Sequence, residues 1–140
     1  MDLSSCYRKA QVAIKAYNGL YVSSQDGWGP LIANRGKVGP WGTFSLISLP
    51  YEGVDKYAVQ ASNGFYVSAE GGGGYELIAS RHMIGPWETF SLIPLSYEGA
   101  NKYAIRASND QFVSAEGAGG KLLANRNEVG LWETFELVPL

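Results

Sequence analysis

Short runs in which apolar and polar positions alternate dominate the chain, and the same runs return three times. Val12-Ala-Ile-Lys-Ala16, Tyr57-Ala-Val-Gln-Ala61 and Tyr103-Ala-Ile-Arg-Ala107 open the three copies. A turn signal follows each, at Asn18-Gly19, Asn63-Gly64 and Asn109-Asp110, made of residues that accept φ > 0 in a two-residue hairpin. Next come Leu20-Tyr-Val-Ser23, Phe65-Tyr-Val-Ser68 and Gln111-Phe-Val-Ser114, and then a glycine-rich loop such as Gly71–Gly74. A third apolar run closes on arginine, at Arg35, Arg81 and Arg126. A Gly-Pro or Gly-Leu turn then leads through tryptophan into Thr-Phe-x-Leu. Period-2 alternation over a few residues, bounded by turn residues, predicts four short strands per copy. No helical period competes.

Trp41, Trp87 and Trp132 lie 46 and 45 residues apart, and the arginines and Phe44, Phe90 and Phe135 keep that spacing. Linkers 50–56 and 96–102, both carrying Tyr-Glu-Gly, join copies that span approximately 7–50, 51–95 and 96–140. Twelve strands in three units of about 45 residues predict an all-β chain, a β-trefoil with pseudo-three-fold symmetry, as one domain over 1–140. A propeller fits less well, because three blades fall below the usual range, and an open solenoid would need atypical end repeats. Closure also removes strand edges that invite aggregation.

Packing accounts for part of the repetition. Phe90 and Leu92 share one side of a strand, and with Phe44/Leu46 and Phe135/Leu137 they are expected to form a three-fold core layer. Each tryptophan is either a plug at the barrel end or an exposed platform, one per copy. A flat indole face stacks on the apolar C–H face of a sugar ring. Glu88 and Glu133 sit beside two of the tryptophans, whereas copy one has Gly42. A carboxylate there can accept hydrogen bonds from vicinal hydroxyls; its alternative is an exposed strand glutamate, or one paired with the repeated arginine. Glu70 and Glu116, with Gln25 in copy one, head the glycine-rich loops as solvated residues or as the lining of a shallow cleft.

Composition narrows the functions. The formal charge is −2, from 11 basic and 13 acidic residues, so the basic excess wanted by nucleic acid or an anionic membrane is missing. Cys6 is the single cysteine, so no intrachain disulfide forms, and its default is an inert small residue. His82 is the single histidine, and no carboxylates show metal-ligand spacing around it. The glycine run lacks the Lys-Ser/Thr and the helix of a phosphate loop. No nucleophile elbow or Cys–His pair appears, and acids repeated once per copy suit repeated binding better than one asymmetric catalytic centre. The expectation is a protein that is not an enzyme, with no catalytic or metal-binding residues and no cofactor. No apolar stretch is long enough to span a membrane, and none reads as a leader. That predicts a cytoplasmic protein as written, or a module excised from a secreted one. Trp28 occurs in copy one alone, as a loop tryptophan open to contact.

The run Asn63-Gly-Phe-Tyr-Val-Ser-Ala-Glu-Gly-Gly-Gly-Gly74, the closing Leu-x-Ala-x-Arg and Gly85-Pro-Trp-Glu-Thr-Phe90 resemble fascin-like β-trefoil domains, across about residues 12–140. The Trp-Glu-x-Phe string is similar to the β-glucan-binding trefoil modules of carbohydrate-binding module family 92. The resemblance implies a carbohydrate site in each lobe from that Trp and Glu: Trp87 with Glu88, Trp132 with Glu133, and Trp41, where Gly42 departs from the pattern. It implies β-1,3- or β-1,6-linked glucan as partner. Arg35, Arg81, Arg126, Glu70 and Glu116 are the secondary candidates. The alternative within the same resemblance is a protein-interaction module that binds filamentous actin.

Overall fold

The computed structural model describes residues 9–25, 29–116 and 120–140. Cys6 and Trp28 lie outside the described residues. Twelve strands form: β1 (Lys9–Lys15), β2 (Tyr21–Ser23), β3 (Ile32–Arg35) and β4 (Phe44–Ser48) in lobe one. Lobe two holds β5 (Lys56–Gln60), β6 (Tyr66–Ala69), β7 (Leu77–Arg81) and β8 (Phe90–Pro94). Lobe three holds β9 (Lys102–Arg106), β10 (Phe112–Ala115), β11 (Leu122–Arg126) and β12 (Phe135–Pro139).

The first and fourth strands of each lobe pair with each other and with the neighbouring lobes. The order β1-β4-β5-β8-β9-β12 returns to β1, so the six strands close into an antiparallel barrel with no open edge. The second and third strands of each lobe form a hairpin, β2–β3, β6–β7 and β10–β11. All three hairpins carry a register shift at the same place, Tyr21/Val22, Tyr66/Val67 and Phe112/Val113. A repeated bulge of this kind bends each hairpin over the barrel mouth. The hairpins then meet one another: Leu31 donates its amide to Leu77 O at 2.8 Å, and Leu122 to Leu31 O at 2.9 Å. This is the β-trefoil arrangement expected from the three repeats.

Side-chain alternation dictates what fills the interior. Phe44, Phe90 and Phe135 are buried to 1%, 1% and 0% exposure, and Leu46, Leu92 and Leu137 lie beside them in the same cluster. The three-fold layer anticipated from Thr-Phe-x-Leu is present. Leu31, Leu77 and Leu122, from the three hairpins, are buried in that same cluster.

The turn residues act as read. Gly19, Gly64 and Asp110 take φ of 83°, 88° and 66°, which the hairpin requires and most side chains resist. The preceding asparagine has a second use in each lobe. Asn109 accepts the Gln111 amide at 3.0 Å and donates to Ala124 O at 3.1 Å, and Asn18 and Asn63 repeat the pattern on Ala33 and Ala79. One side chain thus ties each turn to the third strand of its lobe.

Candidate functional site

Trp41, Trp87 and Trp132 do not lie on strands. Each sits in the middle of a single 3₁₀ turn, Pro40–Gly42, Pro86–Glu88 or Leu131–Glu133, and the strand begins two residues later at the phenylalanine. Strand parity therefore does not govern them. Trp87 and Trp132 keep 40% and 38% of their surface in solvent, whereas Trp41 is of intermediate exposure. Neither of the two exposed tryptophans plugs the barrel.

The turn that carries each indole is the same in all three lobes. The amides of Gly42, Glu88 and Glu133 donate to the carbonyls of Gly39, Gly85 and Gly130 at 3.0, 3.1 and 3.3 Å. Thr43, Thr89 and Thr134 add a hydroxyl donor to those same carbonyls at 2.9 Å. In lobes two and three a carboxylate completes the turn. Glu88 Oε1 accepts the Gly85 amide at 2.7 Å, and Glu133 Oε1 accepts the Gly130 amide at the same distance. Both glutamates are 6% exposed. Neither glutamate is an exposed strand residue: the structure commits one oxygen of each to its own turn, the turn that carries the neighbouring indole.

Around each exposed indole lies a polar frame. The Arg81 guanidinium carbon stands 5.6 Å from the Trp87 ring centroid, and that of Arg126 5.8 Å from Trp132, within cation–π range. Arg81 Nη2 in turn donates to both oxygens of Glu70 at 3.1 and 3.3 Å, and Arg126 Nη2 to both oxygens of Glu116 at 3.0 Å. The loop glutamates are paired, and their partner is the arginine, so that arginine does not need Glu88 or Glu133. Partial exposure of all four groups leaves these ion pairs screened by solvent, with little to add to stability. Their use is orientation. An indole, a guanidinium and a carboxylate face solvent together, twice, in equivalent positions.

Electrostatics fixes the charge state of the lobe-three frame. Burial pushes the Glu116 carboxyl up, but the polar surroundings of Ser114 and Asn125 and the hydrogen bonds and charge of Arg126 outweigh it and hold it below its ordinary value. Arg126 moves up, chiefly through its hydrogen bond to Glu116 and their attraction. A carboxyl lowered on folding contributes stability at neutral pH, and loses it as pH falls through the folded value. The frame is thus expected to hold at neutral pH and to open only in acid. A Glu116→Gln variant should lose that acid-side transition, which thermal melts at a series of pH values would reveal.

The glycine-rich loop of lobe two closes over the indole edge. A Cβ on Gly72, whose φ is 83°, would stand 3.0 Å from Trp87 Nε1. Gly72→Ala is therefore expected to displace the indole and strain the loop, costing about 1–2 kcal/mol. Exchange of the indole Nε1–H and a urea midpoint measure both effects. The matching loop of lobe three includes residues outside the described ones. His82 packs edge-on against Phe65, with ring centroids 4.5 Å apart, and among the described residues no group of His, Cys, Asp and Glu is placed to hold a metal ion.

Lobe one departs from this frame at two positions. Gln25 replaces the loop glutamate and donates to Asn34 Oδ1 and Ser23 O, both at 3.2 Å. Gly42 replaces the turn glutamate, so among the described residues no side chain caps the Gly39 amide.

Comparison with known proteins places this architecture. A family model described as a domain of unknown function (DUF7910) matches residues 51–139. No curated protein matches the chain. Among solved structures, the designed three-fold symmetric protein ThreeFoil superposes with a TM-score of 0.79 at 17% identity, over 93% of this chain and 99% of its own. SeviL, solved bound to asialo-GM1 saccharide, gives 0.72 at 16% identity, over 91% and 95%. The Rhizoctonia solani agglutinin gives 0.75 at 11%, over 94% and 95%. At these identities the likeness establishes the β-trefoil fold.

Proposed function

This chain belongs to the family described as a domain of unknown function (DUF7910), and we propose that it is a non-catalytic, multivalent carbohydrate-binding module. The observation that carries the reading is the exposed tryptophan framed by an Arg–Glu pair, built twice at equivalent positions. Trp87 and Trp132 stack the apolar face of a pyranose ring. Arg81 and Arg126 donate to ring hydroxyls and Glu70 and Glu116 accept from them. Glu88 and Glu133 hold the two indoles in place. Trp41 in lobe one is a third platform with a different polar frame. The saccharide complex of SeviL, on the same fold, lends support.

The favoured ligand is β-1,3- or β-1,6-linked glucan, on the resemblance of the Trp-Glu-x-Phe string to β-glucan-binding trefoil modules. Each lobe alone binds weakly, and retention on a polymer comes from two or more lobes engaging one chain. Affinity electrophoresis in gels containing laminarin or pustulan tests this. The protein is expected to be retarded by one of the two glucans and to stay in the supernatant when filamentous actin is sedimented. Co-sedimentation with actin and unretarded migration in every glucan would replace this reading with the protein-interaction one.

A further inference from the structure

The three lobes share one turn geometry but not one charge. Lobe one carries two cations, Arg35 and Lys37, with the neutral residues Gln25 and Gly42 where lobes two and three have glutamates. At the same four positions lobe two has Glu70, Arg81, Met83 and Glu88, a net −1, and lobe three has Glu116, Arg126, Glu128 and Glu133, a net −2. Lobe one stands at +2, and adding the neighbouring Asp26, which lies outside the described residues, leaves it positive.

A cavity of about 250 Å³ opens in lobe one, lined by Arg35, Lys37, Gly39, Trp41 and Gly42 among others. At about 30 Å³ for each water molecule, it has room for roughly eight, on the scale of one sugar ring. Arg35 makes no ion pair among the described residues, unlike Arg81 and Arg126. The Gly39 amide occupies the position whose counterparts, Gly85 and Gly130, each donate to a carboxylate at 2.7 Å. Two lobes thus display what this position binds when it is filled: a carboxylate oxygen.

We propose that lobe one binds a carboxylated sugar, a hexuronate, whose carboxylate takes the place that Glu88 and Glu133 fill in the other lobes. The carboxylate accepts from the Gly39 amide and pairs with Arg35 and Lys37, while the ring lies against Trp41. Charge-assisted hydrogen bonds of this kind are the stronger ones, and the missing protein carboxylate leaves the space for them. The module would then read a mixed polymer, with neutral residues on lobes two and three and an acidic residue on lobe one. The inference rests on the carbohydrate-binding reading for the ring and on lobe one alone for the charge.

The test is an amide-resolved NMR titration at constant ionic strength with three probes: sodium glucuronate, sodium acetate and a neutral β-1,3-oligoglucoside. Glucuronate is expected to move the Gly39 amide and the Arg35 Nε–H saturably, and acetate to do so far more weakly. In Gly42→Glu the chain supplies its own carboxylate, and a Cβ there meets nothing closer than Val22 O at 3.5 Å. That variant should fold at least as well and bind glucuronate about ten- to a hundredfold more weakly. Its Trp87 and Trp132 indoles should still respond to the neutral oligoglucoside. An unmoved Gly39 amide alongside responsive indoles would overturn this inference and leave the proposed function standing. Equal affinity for acetate, or undiminished glucuronate binding by Gly42→Glu, would overturn it as well. A Gly39 response with silent indoles would instead uphold the acidic site and overturn the two-lobe reading.

Discussion

Replacing Trp87 and Trp132 together with alanine is expected to abolish retention on any glucan that retains the wild-type chain, with far-UV circular dichroism unchanged. Truncating an aromatic anchor costs about 2 kcal/mol or more, so each single variant should weaken its own lobe by at least roughly thirtyfold. The double variant loses more than the product suggests. Avidity from simultaneous engagement is worth about 10²–10⁴, and it vanishes once one platform or none remains. Folding is spared because both indoles are substantially exposed and neither belongs to the core cluster. Retention that survives in the double variant would move the sugar contact elsewhere, with Trp41 the first place to look.

The largest stability effect belongs to the core phenylalanines. Phe90→Ala is expected to cost about 3–5 kcal/mol, the range for emptying a buried aromatic site. Against a total of about 5–15 kcal/mol for a domain, that is a large share of the margin. Phe90 is 1% exposed and lies in one cluster with Phe44 and Phe135, so the matching substitution in either sister lobe should cost a similar amount. Phe90→Leu, which leaves a smaller void, should cost less. Urea midpoints for the three alanine variants, with the slope held fixed, would check both the size and the three-fold equivalence.

The parts of this molecule that were legible in its sequence obey a short-range periodic rule. Phe90 and Leu92 alternate, so their burial follows from strand geometry alone. Asn63-Gly64 names a turn because few residues accept its positive φ. The spacing of the three tryptophans counts the lobes. What was not legible depends on contacts that no period encodes. Trp87 sits on a single 3₁₀ turn, too short to leave a pattern, so its exposure could not be read from parity. The bond from the Gly85 amide to Glu88 belongs to that same turn, and it ties one oxygen of that carboxylate to the backbone beside the indole. The pairing of Arg81 with Glu70 spans a hairpin. No co-variation signals it, since Arg35 stays in lobe one although Gln25 replaces the loop glutamate, and the frame there also breaks at Gly42.

That break leaves the lobes with unequal polar frames. A three-fold scaffold keeps its phenylalanines because all three fill one core, while the exposed turns are free to diverge. Lobes two and three retain an indole, an arginine, a loop glutamate and a turn glutamate; lobe one exchanges both glutamates for neutral residues and gains Lys37. Repetition in the core and divergence at the rim would suit the proposed multivalent binder of a heterogeneous polymer.

The central claim is that the exposed indoles are sugar platforms, and tryptophan fluorescence tests it most directly. The chain would be titrated in parallel with laminarin, pustulan and cellulose oligosaccharides. The account predicts a saturable shift with one β-glucan that disappears in the Trp87/Trp132 double variant. An emission spectrum unmoved by every glycan, from indoles that a neutral quencher readily reaches, would contradict it.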